Sequence, residues 1–231
     1  MLHILLLLSF FNLISCSLPG GKYITTPSIP ILTEDTSSPT IRILQLGDPE
    51  LRKACKSVDC FDIKNIKSCP DLLKIRSDLH EALRDFQKRN GFGRAIAAPQ
   101  IGHNLQMIAM KLSEQEPAVT LYNPVIISKS KELMTLWDDC FSFPNLMVRV
   151  ARHKKISVKF INDAGEEKIW NCDDDLSELL QHEIDHLHGV LAVDLALPDL
   201  SSCKSIIERK VWSENKKFYS QFVDYHPCDV E

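Results

Sequence analysis

The segment HEIDH at residues 182–186 constrains this chain more than any other part of its sequence. Two histidines four residues apart lie on the same face of an α-helix, with Cβ atoms about 5–6 Å apart. That spacing lets His182 and His186 bind one metal ion while Glu183 lies beside it. The sequence therefore predicts a helix that carries two metal ligands, and a further ligand must come from elsewhere in the chain.

The alternative interpretation is a surface helix whose two histidines bind nothing. The helical face that carries them also holds Leu179, and the apolar segment GVLAV follows the helix, which favours a buried face. Asp175 and Glu178 have the spacing of a capping box, and Gly189 is placed to end the helix. We expect these two acidic residues to cap the helix rather than to bind metal.

Two residues compete for the place of the third ligand. A third histidine six residues after His186 would define one large protease class, but that position holds Ala192. Glu208 would instead make a zinc peptidase site, although it lies in a polar segment where side chains are usually solvated. Cys140 lies in an apolar, aromatic segment and is either an inert buried thiol or a thiolate ligand. The residues alone leave both candidates open.

Composition indicates one globular domain. The chain has 231 residues, of which 44 % are hydrophobic and 25 % charged, as in ordinary soluble proteins. Its net charge of −4 gives no indication of DNA binding or of binding to an anionic membrane surface. Eight cysteines could pair, but the chain is long enough to fold around a core without disulfides. We therefore expect free thiols, one of them a metal ligand.

The N-terminal part differs from the rest. Residues 2–16, LHILLLLSFFNLISC, are mostly apolar but short for a membrane span, which predicts a targeting or anchoring segment at 1–16 rather than a buried or interfacial helix. Residues 17–40 are rich in Ser, Thr, Pro and Gly and are predicted to form a flexible linker. The folded domain is predicted at 41–225, with any membrane contact made only through the first segment.

Patterns of hydrophobic residues predict a mixed fold. Strands are expected in IRILQLG, NLQMIAMKL, VTLYNPVII and LMVRVAR, and a hairpin in ISVKFINDAGEEKIWN. Helices are expected in PDLLKIRSDLHEALRDFQKRNG, in the HEIDH region and in SCKSIIERKVWSENKKFYSQF. Short strands joined by tight turns favour an α+β fold with largely antiparallel sheets.

Three segments together resemble the peptide deformylases. That family has G-x-G-x-A-A-x-Q, then E-G-C-L-S, then Q-H-E-x-D-H. This chain has GRAIAAPQ at 93–100, DDCFS at 138–142 and QHEIDH at 181–186, in the same order. The resemblance covers residues 41–200. It implies an α+β fold in which antiparallel sheets surround a central HExxH helix.

The resemblance implies a site and a reaction. Cys140, His182 and His186 correspond to the metal ligands, and Glu183 to the residue that accepts a proton from water and passes it to the leaving amine. The implied function is removal of the formyl group from the N-terminal Met of newly made proteins. The alternatives are an HExxH zinc peptidase that uses Glu208 and a deformylase-like binding protein without catalysis.

Further roles are carried over in the same way. The side chain of Gln100 and the backbone N–H of Phe141 correspond to the oxyanion donors. The peptide is implied to lie extended along segments 93–95 and 139–141. The expected substrate contacts are Gly93, Arg94, Ala95 and Asp139.

The sequence departs from the family pattern at several positions around these motifs. The departures are Arg94, Ala95, Asp138, Asp139, Phe141 and His188. Because the implied ligands and Glu183 are retained, we expect a divergent but active enzyme with altered substrate preference and rate. Arg94 and Asp139 carry opposite charges at facing positions, which predicts an ion pair across the cleft; the alternative is that both side chains point to solvent and do not interact.

The resemblance implies Fe²⁺ as the cofactor, with Zn²⁺ or another divalent metal able to replace it. It implies N-formylated nascent peptides as partners, and a ribosome contact through the C-terminal helix, where basic residues outnumber acidic ones. Formylated chains arise in bacteria, mitochondria and plastids, and the sequence does not choose among these compartments.

Overall fold

A computed structural model describes residues 41–113 and 116–227 of the chain. These residues belong to one compact unit that covers 39–231. The predicted targeting segment at 1–16 and the predicted linker at 17–40 lie outside the described residues. None of the helices within the described ranges is long and apolar enough to cross a membrane.

The described residues form five α-helices and eight strands, together with several short 3-10 helices. The α-helices are α1 (Cys60–Lys64), α2 (Pro70–Asn90), α3 (Asp174–Leu187), α4 (Arg209–Glu214) and α5 (Lys216–Tyr219). The strands are β1 (Ala95–Ala97), β2 (Met107–Met110), β3 (Val119–Lys129), β4 (Leu133–Asp138), β5 (Leu146–His153), β6 (Lys155–Ile161), β7 (Glu167–Asp173) and β8 (Ile206–Glu208). The 3-10 helices are Pro49–Arg52, Ile66–Ser68, Ala98–Ile101, Ala192–Leu195 and Ser220–Phe222.

The strands form two antiparallel sheets, which confirms the predicted α+β class. The larger sheet has the order β1-β2-β3-β6-β7, and the smaller has β4-β5-β8. The predicted hairpin is present as β6 and β7, whose register pairs Ile161 with Glu167. Asn162 accepts backbone hydrogen bonds inside the turn and Gly165 has a φ of 74°, as a tight turn requires. In this order β1 is an edge strand, which matters for the site.

Helix α2 matches the prediction at both ends. Pro70 occupies the first turn, where its missing N–H costs nothing, and Gly91 ends the helix with a φ of 74°. Leu79, Leu83 and Phe86 are buried on one face and pack in a core cluster with residues of β1 and β2. This packing holds α2 against the sheet next to the segment GRAIAAPQ at 93–100.

Helix α3 lies against the larger sheet and carries the HEIDH segment. Leu180, Ile184 and Leu187 belong to the core cluster that contains residues of β1, β2, β6 and β7. The predicted stop is confirmed, because Gly189 follows the helix with a φ of 74° and a Cβ there would lie 2.5 Å from the Arg52 carbonyl oxygen. The apolar face of α3 thus fixes the height and rotation of its histidines.

The predicted capping of α3 is wrong. The helix begins after Asp173, which lies two residues before the expected cap at Asp175. Asp175 accepts a hydrogen bond from the Tyr225 hydroxyl, and Glu178 is buried in an ion pair with Arg94. Both partners lie far away in sequence, so local spacing could not reveal them.

Two other predicted elements are also corrected. Residues 41–47 form no strand, because the Leu44 N–H donates to the Gln100 carbonyl and the Leu46 N–H to the Ser142 carbonyl. This segment therefore ties two motifs together instead of joining a sheet. The last predicted helix fails at its start, where residues 206–208 pair with β5 as β8. The helices α4 and α5 follow this strand.

The cysteines in the described ranges are free thiols, as expected. They are Cys55, Cys60, Cys69, Cys140, Cys172 and Cys203. Only Cys140 lies close enough to histidines, among these described residues, to share a metal ion with them.

Candidate metal centre

Three possible ligand atoms converge where Cys140 of the DDCFS segment meets the two histidines of helix α3. The Sγ atom of Cys140 and the Nε2 atom of His186 are 3.2 Å apart, and the Nε2 atoms of His182 and His186 are also 3.2 Å apart. All three ligand atoms lie within 4.8 Å of one another, and the three side chains are buried. Ligands of a tetrahedral Zn²⁺-like ion are separated by about 3.3–3.6 Å at normal bond lengths. The cluster therefore fits a divalent metal with one position left for water or substrate.

The surroundings of Cys140 favour a thiolate ligand. The Ser142 N–H and the Gln100 Nε2 each donate to its sulfur at 3.4 Å. Burial raises the pKa of the Cys140 thiol, and neighbouring His182 offsets only part of this effect. A buried thiol of this kind ionises when a metal cation supplies compensating charge. The donors and the need for a cation agree with metal binding.

A buried network of charged side chains contacts His182 at its Nδ1 atom. Asp138 Oδ1 lies 2.9 Å from His182 Nδ1, and Asp138 Oδ2 accepts from Arg152 Nη2 at 2.9 Å. Arg152 also pairs with Asp185. Burial alone raises the pKa of Asp138, but His182 and Arg152 together lower it well below its usual range. Asp138 therefore stays a carboxylate and turns the Nε2 atom of His182 toward the cluster.

Replacing Arg152 with Leu should weaken both the fold and the metal site. The change leaves Asp138 buried with less compensating charge, so the free energy of unfolding should fall by about 3–5 kcal/mol. Looser support of His182 should reduce metal affinity by roughly 10–100-fold. Chemical denaturation and a competitive metal titration measure the two effects. Lys154→Leu, which breaks an exposed pair with Glu132, is the control and should change little. Equal effects of the two variants would show that the network does not support the site.

Glu183 is placed for proton transfer. Its side chain is 3 % exposed and lines the cleft, and its Oε2 atom has no hydrogen-bond partner among the described residues. Burial raises the pKa of Glu183 to about 7, although His182 partly opposes the shift. A carboxyl group with a pKa near neutrality can both accept and return a proton. A buried carboxylate with an oxygen that lacks a partner is costly for stability, which indicates a chemical role.

The side chain of Gln100, in the 3-10 helix Ala98–Ile101, lies beside Cys140. Its Oε1 accepts from the Ala97 N–H at 2.8 Å, which fixes the amide so that Nε2 faces Cys140 and Ser142. The side chain is 1 % exposed. Gln100 therefore presents an oriented N–H donor beside the cluster.

A cleft of about 1190 Å³ opens over the cluster. The expected substrate contacts Gly93, Arg94, Ala95 and Asp139 all lie on its wall. The Phe141 ring stacks on Phe86 with centroids 3.6 Å apart, and it lies so close to Gly93 that a Cβ there would be 2.1 Å from Cε1. Gly93 also has a φ of 101°, so both space and backbone require glycine at this position.

The expected ion pair between Arg94 and Asp139 is wrong. Arg94 pairs with Glu178 on α3, whereas Asp139 pairs with Arg209 at the start of α4. The Arg209 guanidinium also lies 3.9 Å from the centre of the Phe92 ring. The two charges expected to face each other thus each bind a partner contributed by a distant element.

The alternative ligand Glu208 lies apart from the cluster. It is exposed on β8 and lines the cleft, while the described residues whose ligand atoms converge are Cys140, His182 and His186. Sequence reasoning gave no role to Arg152 or to the pairing of Glu178. Two arginines in an otherwise apolar strand, LMVRVAR, were the available signal, because a buried arginine requires a carboxylate partner.

Comparison with known proteins agrees with this site. A family model described as polypeptide deformylase matches residues 40–200. A peptide deformylase of Prochlorococcus marinus is 33 % identical over 184 residues, which are 78 % of this chain and 85 % of that protein. One from Pseudothermotoga lettingae is 36 % identical over 154 residues, covering 67 % of this chain and 81 % of the relative.

Solved structures agree as well. A peptide deformylase from Synechococcus elongatus in complex with actinonin has a TM-score of 0.61 at 29 % identity, covering 70 % of this chain and 81 % of that one. Peptide deformylase from Thermotoga maritima has a TM-score of 0.59 at 32 % identity, covering 70 % and 100 %. Sequence and structure therefore match the same group of proteins, and the family model covers the part that contains the cluster.

Proposed function

The chain belongs to the polypeptide deformylase family, and we propose that Cys140, His182 and His186 hold its metal ion while Glu183 transfers the protons. It is a metalloenzyme, a hydrolase that removes formyl groups from nascent peptides. The observation that carries the residue assignment is the approach of a buried cysteine from one motif to two buried histidines from another.

The reaction converts a formamide and water into formate and a free amine. A metal ion held by Cys140, His182 and His186 would polarise the formyl carbonyl and lower the pKa of a water molecule. Glu183, with a pKa raised to about 7, accepts a proton from water as the new C–O bond forms. The same carboxyl group then gives that proton to the amide nitrogen as the C–N bond breaks.

Charge that develops on the formyl oxygen needs hydrogen-bond donors. The Gln100 Nε2, held by the Ala97 N–H at the opposite end of its amide, supplies one donor beside Cys140. The backbone N–H of Phe141 supplies the second, since this residue directly follows the ligand in the chain. A donor that is fixed before the reaction stabilises the transition state without reorganisation.

The peptide lies extended between segments 93–95 and 139–141. β1 is the edge strand of the larger sheet, so its outer edge can accept another strand through backbone hydrogen bonds. Gly93, Arg94, Ala95 and Asp139 all line the cleft. Backbone hydrogen bonds hold the formylated end of the peptide at the cluster whatever side chains follow it.

The test is a formate-release assay. The protein is loaded with iron under anaerobic conditions and given a formyl-Met peptide, and formate and free amine are measured in parallel. Equal amounts of both products are expected. Release of a C-terminal fragment instead would indicate a peptidase, and bound metal without any product would indicate a protein that binds but does not catalyse.

We propose Fe²⁺ as the metal in the cell, with Zn²⁺ able to take its place. Two imidazoles and a thiolate suit several first-row metals, so affinity alone does not select iron. The family resemblance is the support for iron. Metal analysis after anaerobic purification tests the identity, and full occupancy by zinc with no iron would contradict it.

A ribosome contact is a further proposal, supported by the basic residues near the C-terminus. Arg209 already pairs with Asp139, and Lys204 with Asp199, so fewer free charges remain than the sequence implies. A solvated surface is the alternative. Salt-dependent co-sedimentation with ribosomes would support the contact, and its absence at low salt would exclude it.

A chain that starts at residue 41 should fold and retain full activity. We propose residues 41–225 as the catalytic domain, 17–40 as a linker and 1–16 as a targeting or anchoring segment and the only part that meets a membrane. The reason is that the residues from 41 to 227 by themselves supply a packed core and a cleft. Formate release and thermal melting compare the shortened and full-length proteins. A shortened chain that only aggregates would place the boundary elsewhere.

A further inference from the structure

A buried ion pair forms part of the cleft wall and has no part in the proposed chemistry. The Arg94 guanidinium donates to the Glu178 carboxylate, and the two side chains are 16 % and 4 % exposed. Both residues line the cleft. Apolar residues of similar size often stabilise a fold as well as a buried pair does. Structural support alone is therefore a weak reason for placing two charges here.

The pair lies beside the reacting centre. Glu178 precedes His182 by four residues on α3, so the two side chains share one helical face. Arg94 lies directly before the edge strand β1. Arg94 and Glu178 line the same cleft as His182 and Glu183. A substrate whose formyl group reaches Glu183 must therefore pass close to this pair.

The guanidinium of Arg94 stays charged, whereas burial raises the pKa of Glu178 to about 7 although the charge of Arg94 opposes the shift. Burial lowers the pKa of Arg94, but Glu178 more than offsets this, with smaller contributions from Asp175 and Asp139, so that the net pKa is raised. The wall thus carries a charged guanidinium and the carboxyl group of Glu178, which hold each other in place. It offers a donor and an acceptor to anything that lies against it.

The chemistry of the substrate brings its first side chain to this wall. In an N-formyl peptide, only the amide nitrogen separates the formyl carbon from the first Cα. The first side chain therefore starts within a few bonds of the reacting carbon and cannot lie in a distant part of the cleft. With the peptide extended along β1, the wall next to that side chain is the one formed by Arg94 and Glu178.

An ion pair and an apolar wall differ in how much they stabilise apolar and polar substrate side chains. An apolar side chain gains free energy by leaving water, but against this wall it also shields charged groups from water. A polar side chain of similar length can hydrogen-bond with the guanidinium or the carboxylate and so recover part of its lost hydration. The usual advantage of an apolar side chain should therefore largely disappear.

We infer that the Arg94–Glu178 pair sets the substrate class of this enzyme, so that formyl peptides with a polar first side chain are accepted about as readily as those that begin with an apolar residue such as Met. The inference rests on the proposed function. The reaction is unchanged, and only selection at the first residue differs.

The experiment compares two formyl tripeptides that differ only in their first residue, norleucine or Gln, which have similar lengths. For the metal-loaded full-length protein, the two values of kcat/KM should agree within roughly fivefold. In Arg94→Leu/Glu178→Leu, the ratio should shift at least about tenfold toward norleucine, mainly through KM, because the apolar wall rewards burial.

Two further variants serve as controls. Arg94→Glu/Glu178→Arg exchanges the charges and should keep the wild-type ratio, since the wall still offers a donor and an acceptor. Lys74→Leu/Asp78→Leu removes an ion pair on the surface of α2, away from the cleft, and should also keep it.

The outcomes separate this inference from the proposed function. An active Leu/Leu variant with the wild-type ratio overturns the inference and leaves the function intact. If that variant does not fold, a wild-type preference for norleucine above about 50-fold still overturns it, since apolar pockets discriminate on that scale. No turnover of any formyl peptide by the metal-loaded protein overturns the function and this inference with it.

Discussion

Cys140→Ala is expected to release the metal and abolish hydrolysis together. The sulfur of Cys140 lies 3.2 Å from His186 Nε2 and completes the only group of three converging ligand atoms among the described residues. Without it, two histidines remain, and two ligands do not form a stable site. Metal affinity should fall by more than the roughly 10–100-fold that accompanies loss of a residue supporting a ligand. Metal content after dialysis and formate release measure both effects.

Two controls make this result specific. Cys172→Ala removes another buried thiol, in β7 and outside the cluster, and should keep its metal. Glu208→Ala should also keep it, because Glu208 is exposed on β8. A Glu208 variant that loses metal while Cys140→Ala retains it would reverse the ligand assignment and restore the peptidase interpretation.

Local sequence signals predicted the elements that depend on local physics. Helix α2 begins at Pro70 and ends at Gly91 as expected, because the fixed φ of proline and the positive φ of glycine act within one turn. The hairpin of β6 and β7 was predicted for the same reason, from the turn residues at 162–165. The HEIDH spacing likewise predicted that His182 and His186 face the same way.

Contacts between distant segments were the part that local signals missed. Asp175 and Glu178 have the spacing of a capping box, yet Tyr225 and Arg94 bind them instead. Both predictions failed because a capping box is worth only about 1 kcal/mol and a buried partner easily outweighs it. Residues 41–47 alternate like a strand, but their backbone N–H groups donate to the carbonyl groups of Gln100 and Ser142.

In the site, too, local spacing was predicted from sequence and contacts between distant segments were not. The residues alone could not choose between Cys140 and Glu208, and only the resemblance of three motifs favoured the cysteine. The pairing of Arg94 with Glu178, rather than with Asp139, depends on where α3 packs against β1. Packing of this kind is set by the whole core, so charge complementarity between two motifs was an insufficient guide.

Glu183→Gln and Glu183→Ala are expected to keep the metal and lose hydrolysis. The Glu183 side chain lies outside the group of converging ligand atoms, so metal content should be unchanged. Removal of a positioned proton-transfer group typically costs about 10²–10⁴ in rate, and kcat should fall by that amount with KM little changed. Turnover that persists within about tenfold would exclude Glu183 as the proton-transfer group.

The same Gln variant should be more stable than the wild type in metal-depleted protein, in a way that depends on pH. Folding raises the pKa of Glu183 from 4.5 to about 7, mainly by burial, so the folded state disfavours the charged form. The destabilisation is absent below pH 4.5, grows as the pH rises, and is complete above about pH 7. Chemical denaturation should therefore show equal stability of the two proteins at pH 4 and a clear advantage of Glu183→Gln at pH 8. Equal stability at both pH values would mean that the buried carboxylate is compensated in the fold, and would remove the argument that this residue is kept for chemistry at a cost in stability.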